Sequence, residues 1–375
     1  MRLLKDYLYS MESGGGICSR TITLLRFPLA VFILLLHSSF EHELRDGVSI
    51  FEGWEAPLYH HIDFLFVQNV CNIAVPLFFL ISGFLFFFKD DIFKYENYKN
   101  KLRKRVKSLL IPYLIWNVLV LMLYVVVQNL APSMNSGRNK LIADYTLHDY
   151  VLSFWSMSFI NEGGVSGPID SPLWFIRDLM VMVFISPLIY WLIRKLDVLV
   201  PILLGMAYII VADTGVQGFS MTALAFFSIG AYFGIVKLDF VKLSRAIIKF
   251  SSVIYSVILL FILIVMGYGY QSWLSRLAII IGVFMVIGIA SYLVDQYSCK
   301  INAFLTSSTF FIFASHSEIL KIVIRLTSRL GVNSDLFYCV AYFVCPMITL
   351  AILLMLYRIL LKFLPQLASV LSGGR

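Results

Sequence analysis

Residues 101–130 read KLRKRVKSLLIPYLIWNVLVLMLYVVVQNL. From Ser108 to Leu130 no position carries a charge. A bilayer core of about 30 Å needs roughly 20 apolar residues per helix. The stretch is long enough to cross, and lipid is the solvent that tolerates it. The seven residues before it include Lys101, Arg103, Lys104, Arg105 and Lys107. Such a cluster beside a span marks the cytoplasmic side. One segment therefore sets both the fold class and an orientation.

The rest of the chain agrees. Of its 375 residues, 60% are hydrophobic and 14% charged. Soluble globular chains sit near 45–50% and about 25%. A soluble enzyme, a disordered chain and a repeat scaffold are excluded. The net charge of +8 comes from 30 Lys and Arg against 22 Asp and Glu. It gathers in short loops between apolar spans, so it reports topology and not nucleic-acid binding. Five cysteines at irregular spacing, mostly in or beside apolar runs, read as small buried side chains without a disulfide framework.

Ten segments qualify as spans: about 20–39, 64–88, 108–130, 172–193, 198–213, 219–236, 250–267, 272–294, 304–327 and 335–362. The run Ile22–Leu36 contains Arg26 and Pro28 and lacks a small-x-small cleavage site, so it reads as a retained span. Loop 89–107 carries eight basic residues against three acids and belongs inside. Loop 40–63 carries Glu41, Glu43, Asp46, Glu52, Glu55 and Asp63 against Arg45 alone, and belongs outside. Loop 161–171 has no Lys or Arg and reads as external, provided the aromatic segment 147–160 lies in the interface without crossing. The expected fold is an all-α polytopic membrane protein: a bundle of about ten transmembrane helices with N and C termini cytoplasmic. Residues 1–375 are expected to form a single integral membrane domain with no appended soluble domain.

Ionisable residues inside spans are expensive and mark function by default. The first span holds Arg26 and His37. Eleven positions at about 100° each make close to three turns, so both side chains share one helix face, about 16 Å apart along the axis. Arg26 then lies near the cytoplasmic end and His37 near the outer end. An arginine there can hold a phosphate. A histidine there can take a proton from a hydroxyl. The plainer reading is a snorkelling arginine and an interfacial histidine.

Ser82 and Gly83 interrupt the aromatic run VPLFFLISGFLFFF and admit either a packed helix or a ligand. Lys104 and Arg105, within the basic cluster, serve either topology or the phosphates of a cytoplasmic ligand. Trp174, Arg177 and Asp178 sit at the outer mouth of the fourth span. The tryptophan stacks on a sugar or joins the aromatic belt. His316 lies mid-depth in the ninth span, with Glu318 two residues on and off its face. His60, His61 and Asp63 are too weak a pattern for a metal, and none is expected. GxGxxG before a helix, GxSxG, a Walker loop and HExxH are all missing.

In this order the motifs resemble the acyltransferase family 3 membrane proteins. The resemblance rests on Arg26 and His37, VPLFFLISGFLF at 75–86, KLRKRVKSLLIPYLIW at 101–116, SPLWFIRDLMVMVFISPLI at 171–189 and STFFIFASH at 308–316. It covers about 20–330. The resemblance implies transfer of an acyl group, commonly acetyl, from a cytoplasmic acyl-CoA to a hydroxyl of a surface polysaccharide or a lipid-linked glycan. His37 matches the family's essential histidine, Arg26 its paired arginine and Arg105 its basic position after the second span. On that footing His37 and Arg26 are expected to be catalytic. Arg26, Ser82, Gly83, Lys104 and Arg105 are expected to bind acyl-CoA, and Trp174, Arg177, Asp178 and His316 the acceptor. His37 would act as general base, with Arg177 among the oxyanion donors. An acyl-enzyme on Ser82 or His37 is the other route.

Acetyl-CoA would be a co-substrate, with no permanently bound cofactor. The partners expected are acyl-CoA, the glycan acceptor and the lipid bilayer, with no nucleic acid; a homo-oligomer stays open. The location expected is the bacterial plasma (inner) membrane. The rival from another class is a transporter or exporter of a small anionic or acylated metabolite. Against it, no inverted repeat or matched pair of broken helices is visible.

Overall fold

The computed structural model describes residues 16–45, 47–88, 94–130, 140–161, 166–211, 214–265, 272–297, 299 and 302–374. The chain ends and parts of the loops at 89–107 and 161–171 lie outside the described residues.

Each of the ten apolar segments carries a helix. They are α1 (Ile17–Leu36), α2 and α3 (Pro57–Leu65 and Ala74–Phe87), α4 and α5 (Tyr95–Arg105 and Ile111–Leu130), and, after the short α6 (Leu147–Ser153), α7 and α8 (Trp174–Phe184 and Ser186–Leu196). Then come α9 (Leu199–Ile210), α10 and α11 (Met221–Val236 and Phe240–Ala246), α12 (Ile248–Val265), α13 (Ser272–Gln296), α14 (Ala303–Ser328), α15 (Asp335–Phe363) and α16 (Pro365–Leu371). Among the described residues, six helices are long and apolar enough to cross a membrane, or up to eight if each of two bent pairs is one span. The protein is thus an all-α, multi-pass membrane protein. A two-residue hairpin, Leu44–Arg45 against Val48–Ser49, is confined to loop 40–63.

Two departures from the expected spans have physical causes, and one expectation is met. The fourth segment bends by 60° between α7 and α8. Pro187 lies in the first turn of α8, where it withholds an N–H from the ladder. The third span begins earlier than its apolarity: α4 continues through a π-helical turn at Val106–Leu110 into α5, one helical run of 36 residues. Residues 95–107 are therefore helix and not loop. Glu96 in the first turn of α4 and Arg103, Lys104 and Arg105 in its last suit the helix dipole. Segment 147–160 forms only the seven-residue α6 and a 3-10 turn at Met157–Phe159, far short of a crossing.

The core lies where α3 crosses α10. A Cβ on Gly83 would stand 2.1 Å from the Phe227 carbonyl oxygen, and one on Gly230 would stand 1.9 Å from the Leu80 carbonyl oxygen. Only glycine lets the two backbones approach this closely. Lys101 and Lys237 close the far end of α3: their ammonium groups donate to the carbonyls of Phe86 and Phe88. Two of the chain's basic side chains thus satisfy the last carbonyls of a buried helix.

The polar helix α14 is housed by protein. His316 and Ser308 are fully buried. Its hydroxyls bond back along the helix, Ser308 to the Leu305 carbonyl (2.8 Å) and Ser315 to that of Phe311 (2.6 Å). That removes their cost without water. Asn302 caps its start, accepting from the backbone N–H of Phe304 (2.9 Å) and Leu305 (3.2 Å). α1 packs against α14, which brings the first histidine-bearing helix to the second.

Candidate active site

His37 is the C-cap of α1. Its backbone N–H reaches the carbonyls of Ile33 (3.3 Å) and Leu34 (3.2 Å) as the helix unwinds. Ser38 Oγ donates to the Leu34 carbonyl (2.7 Å), and Tyr342 on α15 donates to that of Leu35 (2.8 Å). These bonds hold the frayed end, where carbonyls would otherwise lack partners. The His37 side chain is exposed, and what it faces is a cavity of about 310 Å³. That is the lower end of the size range of small-molecule sites.

Four of the expected residues meet there: His37, Trp174, Arg177 and Asp178 all line the cavity. They come from α1 and from α7, some 140 residues apart in sequence. Arg177 and Asp178 are a buried ion pair, with Nη2 2.9 Å and Nε 3.0 Å from Asp178 Oδ1. The guanidinium also donates to the carbonyls of Trp155 (2.5 Å) and Ser166 (3.3 Å) and lies over the Trp155 ring. Asp178 accepts in turn from the Ser220 backbone N–H (3.2 Å). The pair clasps three segments, at 155, 166 and 220, around the cavity. Most of the five guanidinium donors are thereby committed, which leaves little of Arg177 for a developing oxyanion.

Several wall residues carried no sequence signal. Gln217, Gly218 and Ser220 come from the turn before α10, and Ser166 and Ser171 from the segment before α7. Gly218 has φ +89°, and a Cβ on it would meet the Trp155 ring at 2.4 Å. The left-handed backbone and the indole contact both require glycine there. Trp155 belongs to the aromatic segment 147–160, whose role is to support this wall.

His316 stands behind His37, ring centroids 5.3 Å apart at 35°. It does not line the cavity. Its Nδ1 lies 2.7 Å from the Phe313 carbonyl, and its Nε2 is buried with no hydrogen-bond partner among the described residues. An orphaned buried acceptor costs about 1–3 kcal/mol. Beyond it, Lys321 pairs with Glu318 (2.7 Å), which also accepts from the Tyr124 hydroxyl (3.1 Å). Asp170 is buried nearby, with both carboxylate oxygens unpartnered among the described residues.

The residues expected to hold acyl-CoA lie elsewhere; none lines the cavity. Arg26 and Arg105 are each half-buried, with no hydrogen bond or ion pair among the described residues, and Lys104 is exposed. Gly83 is spent on the α3–α10 crossing, so a ligand would find the Phe227 backbone in its place. Ser82, beside it, is half-buried. His60 and His61 bond to Glu41 (2.5 Å) and to the Pro57 carbonyl (2.6 Å). Among the described residues no group of three His, Cys, Asp or Glu side chains is placed to hold a metal ion.

The order of these features along the chain matches a known domain. Residues 20–361 match the acyltransferase domain of the acyltransferase 3 family. The chain belongs to that family. It is therefore an acyltransferase. A relative is the succinoglycan biosynthesis protein ExoH of Rhizobium meliloti (strain 1021), 26% identical over 368 residues, covering 95% of this chain and 92% of that protein. No solved structure matches. In this acyltransferase the cavity beside His37 is the place where polar side chains from distant segments converge on an accessible histidine.

Proposed function

We propose that this acyltransferase moves an acyl group, acetyl by preference, from cytoplasmic acyl-CoA to a hydroxyl of a surface polysaccharide or its lipid-linked precursor, with His37 as general base. The observation that carries the reading is His37 itself: an accessible imidazole on the cavity wall, opposite Trp174, Arg177 and Asp178. The named role of ExoH in succinoglycan biosynthesis supports a polysaccharide acceptor.

The setting we propose is a bacterial inner membrane crossed by ten helices, with both termini cytoplasmic. The cavity is lined by the end of α1, the loop before α7, the start of α7 and the turn before α10, and the first two adjoin or belong to loops 40–63 and 161–171, which the loop charges assign to the outer side. That agreement supports the orientation.

In the reaction, the acceptor hydroxyl gives its proton to a ring nitrogen of His37 as its oxygen attacks the thioester carbonyl. An O–C bond forms, the C–S bond breaks, and the proton passes from His37 to the departing thiolate. Arg26 and Arg105, half-buried and without a partner among the described residues, hold the CoA phosphates. Trp174 offers a face on which a sugar ring stacks. The Arg177–Asp178 pair fixes the cavity walls and so holds the acceptor in line with His37.

The test uses purified protein in proteoliposomes, labelled acetyl-CoA and a panel of lipid-linked and free glycans. Label appearing in a glycan as an ester, and lost with His37→Ala, is the expected result. Ester formation at wild-type rate in His37→Ala overturns the base. Uptake of an unchanged substrate without ester formation overturns the transfer and returns the carrier reading.

A further inference from the structure

His316 is held differently from His37. Its Nδ1 lies 2.7 Å from the Phe313 carbonyl. A carbonyl only accepts, so Nδ1 carries the proton and Nε2 the lone pair. That lone pair is fully buried, and among the described residues no donor reaches it. Buried acceptors are almost always satisfied, so one that is not calls for an explanation.

The nearest ring is His37, at 5.3 Å between centroids. Two imidazoles joined by an N–H···N hydrogen bond stand roughly 5 Å apart, the sum of a donor–acceptor distance of about 2.9 Å and the reach of each ring. The separation already suits that bond. The bond is open in this structure, and a turn of the accessible His37 ring closes it. Among the described residues no other side chain is placed to set the tautomer of His37, because Arg177 and Asp178 are occupied with each other.

We propose that His316 is a positioning residue for His37. Its Nε2 accepts a hydrogen bond from one ring nitrogen of His37, which turns the lone pair of the other nitrogen into the cavity. When His37 takes the acceptor proton, the same bond holds the imidazolium in line to return it to the thiolate. This rests on the general-base reading of His37 and moves His316 from an acceptor contact to a partner of the base. Phe313 fixes the tautomer of His316, and His316 fixes that of His37.

The experiment compares wild type with His316→Phe, His316→Gln and His316→Asn, each first checked for a monodisperse, helical protein in detergent. Gln carries its side-chain oxygen out to the level of Nε2, while Asn stops short. The first readout is steady-state transfer. We expect His316→Phe to lower kcat on the order of 100-fold, the low end of what general acid–base catalysis supplies, with both KM values little changed. Gln should recover part of the loss and Asn none.

The second readout is 15N spectra of histidine-labelled protein. The chain holds six histidines, so the His37 signal is assigned by its loss in His37→Gln. Wild type and His316→Gln should show one His37 tautomer, and His316→Phe a mixture. A raised acceptor KM at unchanged kcat would make His316 an acceptor contact and overturn the proposal. So would a His37 spectrum indifferent to residue 316, or equal activity in Gln and Asn. If wild type transfers no acyl group, the base reading falls with the function. The spectra then still decide whether His316 sets the His37 tautomer. If His316→Phe fails to fold, the Gln and Asn pair carries both readouts.

Discussion

Gly83 meets Phe227 backbone to backbone: a methyl group at position 83 would lie 2.1 Å from the Phe227 carbonyl oxygen. The same crossing repeats at Gly230, against the Leu80 carbonyl at 1.9 Å. Neither clash can be relieved by a side-chain rotation, because the obstructing atoms are main chain. Gly83→Ala must push α3 off α10. Overpacking of this kind costs about 1–3 kcal/mol, and more when backbone has to move. We expect Gly83→Ala and Gly230→Ala to lower the thermal unfolding midpoint in detergent and the yield of monodisperse protein. Ser82→Ala, one residue away, should leave both unchanged. A Gly83→Ala protein of full stability whose only defect is a raised KM for acyl-CoA would return Gly83 to the donor site.

Arg177 and Asp178 make a second kind of prediction. Both are buried, and each is the other's charge partner. Removing one leaves an uncompensated buried charge, at about 3–5 kcal/mol, whereas replacing both by apolar groups of similar volume is often near neutral. Arg177→Met and Asp178→Leu should each destabilise more than the double variant does. The double variant should still lose transfer, because the carbonyls of Trp155 and Ser166 lose their clasp and the cavity wall loosens. Unfolding midpoints of the four proteins give the coupling directly. Additive single effects would show that the pair is not a structural unit.

These two cases also show how far the sequence reads. The helical, multi-pass character was legible because long apolar runs are solvated by lipid; each of the ten runs carries a helix, and among the described residues six to eight helices are long and apolar enough to cross. His37, Trp174, Arg177 and Asp178 stood out because polar groups in apolar spans are costly, and the structure gathers all four at one cavity. Gln217 and Gly218 did not stand out, because a turn residue has no periodicity to break. Residues 95–107 read as loop because hydropathy measures polarity and not helicity; Lys, Arg and Glu are good helix formers. The bend at Pro187 was hidden inside a continuous apolar run. His316 was found as a buried histidine, but nothing in the spacing could bring it to His37, 279 positions away.

His37→Ala tests the centre of the site. His37 caps α1 by its backbone, and its side chain makes no hydrogen bond among the described residues, so truncation should spare the fold. Removing a general base typically costs 10²- to 10⁴-fold in rate, and we expect a loss of about that size in kcat. Retention volume and helical content should match wild type. His37→Gln should fare no better, since an amide neither takes nor returns a proton. Activity in His37→Gln near that of wild type would mean that the imidazole only binds.

Arg26 and Arg105 are the proposed donor side. Each guanidinium is half-buried without a partner among the described residues, an arrangement that a phosphate would complete. Hydrogen bonds to charged groups are worth about 1.5–3 kcal/mol. Arg26→Ala and Arg105→Ala should therefore weaken acetyl-CoA binding about 10- to 100-fold. Lys104→Ala, at an exposed position, should change it little. Lys101→Ala should act on stability instead, because its ammonium closes the end of α3 at the Phe86 carbonyl. Titration of labelled acetyl-CoA against each variant, with free CoA as competitor, separates the two effects. Free CoA should lose affinity in parallel with acetyl-CoA, since the phosphates are common to both. Undiminished binding in both Arg26→Ala and Arg105→Ala would remove the phosphate role from both arginines and send the search for the donor site to the remaining cytoplasmic lysines of α4.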